Sequence, residues 1–288
     1  MELFRALAVM AEPPTEETAR LADVLELGQP PTVDEYTELF LFQLYPYASV
    51  YLGAEGMMGG EARDRVAGFW RALGEMPPAE ADHLSVMLAL YARLSELEED
   101  EKSARRSDVW HSARKAFLWE HLLSWLPMYL TKLDELAPPA YQRWGEVLMK
   151  ILLAETEALG RQSSLPLHLR ETLGLIDPRA GGDAGELWQS VLTPARSGLI
   201  LTRADLMGAA RRLGLGIRMG ERKFILKSLA AQDARGVFDW LIEEATHWTE
   251  RHHRSVETLG EIARVWEARA RASVSLLREL KLAAAEAG

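Results

Sequence analysis

The chain has 288 residues, 48% of them hydrophobic and 26% charged, with a formal net charge of −10. These proportions fit a globular protein and exclude a disordered or fibrous one, and the acidic balance opposes bulk attraction to nucleic acid or anionic lipid. Cysteine is absent, which removes disulfides, thiolate metal ligation and thiol nucleophiles.

Helical periodicity runs along most of the sequence. Over 33–54, Leu39, Phe42, Tyr45 and Ala48 recur at helical steps, with Asp34 and Glu35 where a first turn favours acids and Pro46 as a kink. A second helix carries Val66, Phe69, Trp70 and Leu73 and stops at Gly74, before Pro77-Pro78. His83 to Glu96 form a third, with Leu84, Met87, Leu88, Tyr91 and Leu94 on one stripe. Residues 104–135 and 140–160 supply more, broken apart by Pro138-Pro139. No five-residue segment alternates with β-branched residues, so the expected fold class is all-α.

The segment 174–186 (GLIDPRAGGDAGE), with four glycines and no apolar stripe, reads as a linker between a domain over 1–173 and a helical C-terminal part over 187–288. The latter is expected to form helices over 203–213, 221–231, 234–252 and 255–286, the first capped by Thr202 and closed by Gly214. Charge changes sign along the chain: residues 1–190 hold 17 basic against 31 acidic side chains, and 191–288 hold 16 against 12. The excess is concentrated in 196–227, where Arg196, Arg203, Arg211, Arg212, Arg218, Arg222, Lys223 and Lys227 face only Asp205 and Glu221. Two short helices across a Gly-rich turn could grip phosphates as a helical nucleic-acid-binding regulator, but intramolecular docking against the acidic surface of the N-terminal domain is the simpler use.

Chemistry-bearing motifs are sparse. There is no G-x-S-x-G elbow and no Gly-Lys dipeptide, so no catalytic residue and no cofactor are assigned. Gly214-x-Gly216-x-x-x-Gly220 lacks dinucleotide spacing and reads as a helix stop followed by a turn. His247, His252 and His253 cannot converge from one helix, and no metal site is expected. No apolar run reaches the ~18 residues of a membrane span, and Met1–Pro14 lacks the parts of a secretory leader. A cytoplasmic protein without membrane insertion is expected.

Three motifs occur in a telling order: Tyr36-Thr37-Glu38-Leu39-Phe40, then Glu75-Met76-Pro77-Pro78-Ala79-Glu80-Ala81-Asp82-His83 before an amphipathic helix, then Phe117 to Leu133 (FLWEHLLSWLPMYLTKL). Over about 33–172 this resembles the TorD-like family of redox-enzyme maturation chaperones. The Glu-x-Pro-x-Asp-His of that family is stretched here, so either Glu75 or Glu80 matches its acid, while Asp82 and His83 match directly. On physical grounds Asp82, at a helix start, can accept from free backbone N–H groups, and the positive helix end disfavours protonation of His83.

The resemblance implies a helical bundle and a non-enzymatic chaperone that binds the twin-arginine leader or apo-form of a molybdoenzyme catalytic subunit before export. Such a leader pairs arginines with an apolar helix and needs an acidic rim beside an apolar groove. Candidate groove residues are Trp70, Met87, Tyr91, Trp119 and Trp125, beside Tyr36, Leu39, Phe40, Glu75, Glu80, Asp82 and His83. Homodimerisation by helix exchange through the linker is a further possibility.

Overall fold

The computed structural model describes residues 2–162, 164–171, 174–181 and 183–286. Among them the regular elements are all helical, and the sole extended pairing is an isolated antiparallel bridge between Tyr47 and His83. The fold is all-α, as the periodicity implies. The chain divides into two compact units, one of residues 1–50 with 57–170 and the other of 51–56 with 171–288. The sequence boundary at 173 falls near this division, but the grouping of 51–56 with the C-terminal unit has no signal in the sequence.

In the first unit, α1 (Glu2–Val9) and α2 (Glu16–Val24) lie outside the helices expected from periodicity. A reciprocal Thr15–Thr18 capping box starts α2, satisfying two otherwise orphaned N–H groups. The helix expected over 33–54 is three pieces. A Thr32–Glu35 box starts α3 (Val33–Tyr36), which widens into a π-helix over Thr37–Gln43. Pro46 then breaks the chain before α4 (Ala48–Leu52). The π-helix closes where the Leu44 amide reaches back to Leu39 O at 2.7 Å.

Next come α5 (Gly60–Ala72), α6 (Leu84–Asp100), α7 (Ala104–Phe117), a π-turn over Leu118–Leu122, α8 (Leu126–Leu136), α9 (Pro139–Leu159) and α10 (Leu167–Glu171). Pro139 stands at the first position of α9, where its missing N–H costs nothing. The apolar stripe read on α6 is buried as expected, and α1 and α7 pack against that helix. Aromatic contacts tie the unit together: Phe4 meets Tyr91 at 4.7 Å, Phe40 meets Tyr141 edge-on at 4.9 Å, and Trp144 Nε1 donates to Leu7 O at 3.0 Å.

One ion network crosses this core. Arg114 on α7 donates to Glu98 of α6 at 2.8 Å, to Glu155 of α9 at 2.6 Å and to the Tyr91 hydroxyl at 3.2 Å. Its side chain is 12% exposed and the two carboxylates 18% and 15%, so the guanidinium neutralises charges that water cannot reach well.

The second unit contains α11 (Ala184–Val191), α12 (Pro194–Ser197), α13 (Arg203–Leu213), α14 (Arg222–Gln232), α15 (Ala234–Arg254), α16 (Val256–Leu259) and α17 (Glu261–Glu286). The helix expected over 255–286 is interrupted at Gly260, whose φ of +59° suits glycine. The 174–186 linker is partly structured: Pro178–Ala180 form a 3₁₀ turn and α11 already begins at Ala184 through an Asp183–Glu186 box. Ile176 N donates to Ser190 Oγ at 3.1 Å, and Arg179 bridges Asp177 and Glu279. Thr172 and Leu173 at the end of the expected N-terminal domain, and Gly182 within the expected linker, lie outside the described residues. Residues 51–56 are held in the unit by Arg196 on Ala54 O and Gln189 on Glu55 O.

The centre of the second unit is the α15–α17 pair. His252 lies 5.2 Å from Trp248 and 6.2 Å from Trp266, with its Nε2 donating to Gly198 O at 2.9 Å. Gly198 has φ +75°, and a Cβ there would sit 2.5 Å from Ala270 N, so only glycine permits this approach to α17. Burial lowers the His252 pKa to about 4, aided by Arg251 and opposed by the Gly198 carbonyl and Glu267.

Replacing the guanidinium by an apolar group, Arg114→Leu, strands Glu98 and Glu155 and is expected to cost about 3 kcal/mol of stability, read from chemical unfolding of the first unit. His252 is neutral when folded and free to protonate near its ordinary 6.5 when unfolded. Its contribution is therefore complete above 6.5 and is lost as pH falls toward about 4. Wild type is expected to lose about 2 kcal/mol more than His252→Gln between about pH 7.5 and pH 5. Equal losses in the two proteins would remove the histidine from the pH response.

Candidate functional site

The site grows from one irregular joint in the first unit. Pro46 ends the regular backbone, and the strand-like residues after it pair with the chain that enters α6: Leu84 N donates to Pro46 O at 2.8 Å and Ala48 N to Asp82 O at 3.0 Å. The Asp82 carboxylate, 1% exposed, accepts the Ser49 amide at 3.0 Å. Asp82 thus serves the first turn of α4 and not, as the sequence suggests, that of its own helix. His83 holds the N-cap position of α6, and its Nδ1 accepts from Ser85 N.

Around His83 the side chains converge. The Tyr47 ring stands edge-on to the imidazole at 4.8 Å, and its hydroxyl donates to Glu80 Oε2 at 2.8 Å. Ser85 Oγ lies 2.7 Å from His83 Nδ1 and donates to Glu12. Glu12 Oε1 is itself 3.7 Å from His83 Nδ1, with half of its side chain open to solvent. Burial lowers the His83 pKa below its ordinary value, against the raising influence of Glu12, Glu80 and Asp82. Burial also raises the Tyr47 phenol, reinforced by its bond to Glu80, and raises that of Tyr36, helped by Glu12 and Glu80.

The site is therefore a neutral imidazole and two protonated phenols among three carboxylates. Ser85 is 6% exposed and bridges Glu12 and His83, so it links the two and offers no open nucleophile. Among the described residues no three His, Asp or Glu converge on a metal position. Chemically the outward face can take a cation: Glu80 is exposed and Glu12 half-open, and both present carboxylate oxygens.

The sequence candidates divide sharply. Glu80, Asp82, His83 and Tyr36 belong to the cluster. Glu75 is exposed just beyond α5, where its amide caps Trp70 O, and among the described residues no hydrogen bond or ion pair ties its carboxylate to the cluster. Leu39 and Phe40 are buried core residues. The expected groove lining is corrected: Met87, Tyr91 and Trp125 are 0% exposed and Trp119 4%, because these large side chains fill the space between helices. Tyr91 is bound into the Arg114 network, Trp119 Nε1 donates to Ser164 O and Trp125 Nε1 to His121 O. Trp70 is half-buried.

Glu12, Tyr47 and Ser85 were not legible. Tyr47 follows the break at Pro46, which marks irregular backbone, whereas Glu12 comes from the connection after α1 and carries no local signal. The π-helix from Thr37 supplies a further feature. By widening its turn it buries Leu39 and Phe40 and leaves Leu41 46% and Phe42 51% exposed. The π-helix that carries them begins directly after Tyr36 of the cluster.

Comparison with known proteins covers this region. Residues 8–130 match the family model described as "Nitrate reductase delta subunit". Two curated relatives, both named "Chaperone protein TorD", come from Vibrio vulnificus strains YJ016 and CMCP6. They are 34% and 33% identical over 98 residues, which is 31% of this chain and 44% of each relative. The matched region is similar to these chaperones. The chain spans less than half the length of these relatives, and the family match includes the whole Glu12–Ser85 cluster while ending within α8. Among the described residues no helix is long and apolar enough to cross a membrane.

Truncating the buried carboxylate, Asp82→Ala, leaves the Ser49 amide unpaired and is expected to cost about 2 kcal/mol, whereas Asp82→Asn keeps an acceptor and costs less than half of that. Urea unfolding of the two variants distinguishes them; equal losses would mean that the charge, and not the acceptor, matters.

Proposed function

We propose that this protein is a non-enzymatic, cytoplasmic maturation chaperone that binds the N-terminal leader or apo-form of a molybdoenzyme subunit before export or assembly. The observation that carries this reading is that one unit holds solvent-open carboxylates, Glu12 and Glu80, and also a π-helix, beginning just after Tyr36, with Leu41 and Phe42 exposed. A twin-arginine leader has the complementary chemistry. Its guanidiniums seek carboxylate oxygens, which they can engage bidentately, and its apolar helix seeks an uncovered apolar surface.

Asp82 and His83 serve this site from inside. Asp82 holds the joint that presents Tyr47, and the neutral His83 gives Glu12 and Glu80 no competing cation. The names of the relatives agree in class with this reading. One copy of the chain is taken as the binding unit. Helix exchange through 174–186 would have to break the Ile176–Ser190 and Arg179–Glu279 links.

The nucleic-acid alternative is weakened within its own segment. Arg196, Arg203 and Arg222 donate to the backbone carbonyls of Ala54, Gly220 and Leu201, and Arg212 pairs with Glu243. Four of the eight cations are thus already engaged.

The test is calorimetric titration of the full chain with the leader peptide of a molybdoenzyme encoded beside it. Micromolar binding is expected, reduced on the order of tenfold by Glu12→Gln with Glu80→Gln, and similarly by Leu41→Ser with Phe42→Ser. Replacing both leader arginines should abolish the effect of the carboxylate pair. Leader binding that ignores both pairs of substitutions would overturn the placement of the site, and no binding to any leader would overturn the function.

A further inference from the structure

The second unit carries a surface that the leader-binding reading does not use. Of the basic residues in 196–227, Arg211, Arg218, Lys223 and Lys227 form no ion pair. Two of them, Arg218 and Lys227, belong to one built face. On α14 the residues Phe224, Lys227, Ser228 and Ala231 follow the i, i+3, i+4, i+7 spacing of a single stripe, opposite the buried Ile225, Leu226 and Leu229. Phe224 is 48% exposed, although the ring would normally be covered.

The loop between α13 and α14 runs along this stripe and is fixed there. At its start, Gly216 N and O both bond the Gln232 side chain at 2.8 Å. At its end, Gly220 packs so closely on Phe224 that a Cβ would meet the ring at 2.7 Å, and Arg203 holds Gly220 O at 3.1 Å. Between these ties the loop presents Arg218 and Met219, the latter 69% exposed. A groove of about 450 Å³ lies between loop and helix, lined by Ile217, Arg218, Ser228 and Ala231 among others.

We propose that this face is a docking surface for an acidic amphipathic segment of a partner protein. Met219 and Phe224 would receive its apolar residues, while Arg218 and Lys227 would pair with flanking carboxylates. An exposed aromatic ring and an exposed methionine on a loop and helix that also carry cations without internal ion pairs have the composition of a protein interface. A loop tied at both ends gives up little freedom on binding. Charge complementarity selects an acidic segment. It favours a short peptide over a nucleic acid, because a long polyanion also feels the net −10 of the chain, whereas a short segment feels the cations within a Debye length.

The surface and the leader site lie on different units, so their tests are independent. Fluorescence anisotropy of the full chain would use a labelled helical peptide of Glu-Glu-Leu-Leu repeats, its Gln-for-Glu analogue, and a labelled oligothymidylate and DNA duplex. The acidic peptide is expected to bind saturably. Affinity should fall at least about tenfold in Arg218→Glu with Lys227→Glu, and about as much in Phe224→Ala or for the Gln analogue. Leader binding should be unchanged in these variants, and their far-ultraviolet dichroism should match wild type because the substituted side chains are exposed. The proposal is overturned by the absence of saturable peptide binding, by binding that all the variants retain, or by DNA binding that is tighter than peptide binding and lost in the same variants.

Discussion

The candidate site depends on one exchange of backbone hydrogen bonds between two stretches far apart in sequence. Pro46 cannot donate, so the chain around it leaves regular helix, and its carbonyl and the amides beyond it need partners. The residues entering α6 supply them: Leu84 N takes the Pro46 carbonyl, Asp82 O takes the Ala48 amide, and the Asp82 carboxylate takes that of Ser49. A buried carboxylate is tolerated because it accepts a donor that would otherwise be orphaned. The candidate cluster rests on that joint, which sets Tyr47 against His83 and its hydroxyl on Glu80, while Glu12 reaches the same imidazole from the connection after α1.

Helical irregularity has a comparable role elsewhere. The π-helix over Thr37–Gln43 rotates successive side chains by less than an ordinary helix would, so an apolar run is split between core and solvent. Leu39 and Phe40 go inward, Phe40 against Tyr141 and Trp144, and Leu41 and Phe42 remain outside. In the second unit glycine does similar work: Gly198 allows its carbonyl to reach His252, and Gly260 divides α16 from α17. Each irregularity places a group where regular periodicity would not.

Two uses of charge stand apart. Arg114 neutralises Glu98 and Glu155 within a core and is committed to stability. Glu12 and Glu80 stand beside a histidine whose protonation burial disfavours, and both remain open to solvent. The same contrast divides the basic residues of 196–227. Backbone carbonyls and Glu243 hold four of them, while Arg218 and Lys227 stand unpaired beside exposed apolar side chains. Counting charges along the sequence could not separate these groups, because local spacing does not reveal which carbonyl or carboxylate lies within 3 Å.

By itself the sequence determined the all-α class, the α6 stripe, the ends of α13 at Thr202 and Gly214, and the motif order that resembles TorD-like chaperones. These are properties of local periodicity, capping and turn chemistry, which act within a few residues. Only the tertiary structure decided that Glu80 belongs to the His83 cluster while Glu75 stands outside it, that Asp82 caps a helix other than its own, and that Glu12 and Tyr47 complete the site. It also decided that Met87, Tyr91, Trp119 and Trp125 fill the core. A stripe of large apolar residues fits a groove and an interior equally well until the opposing helices are in place.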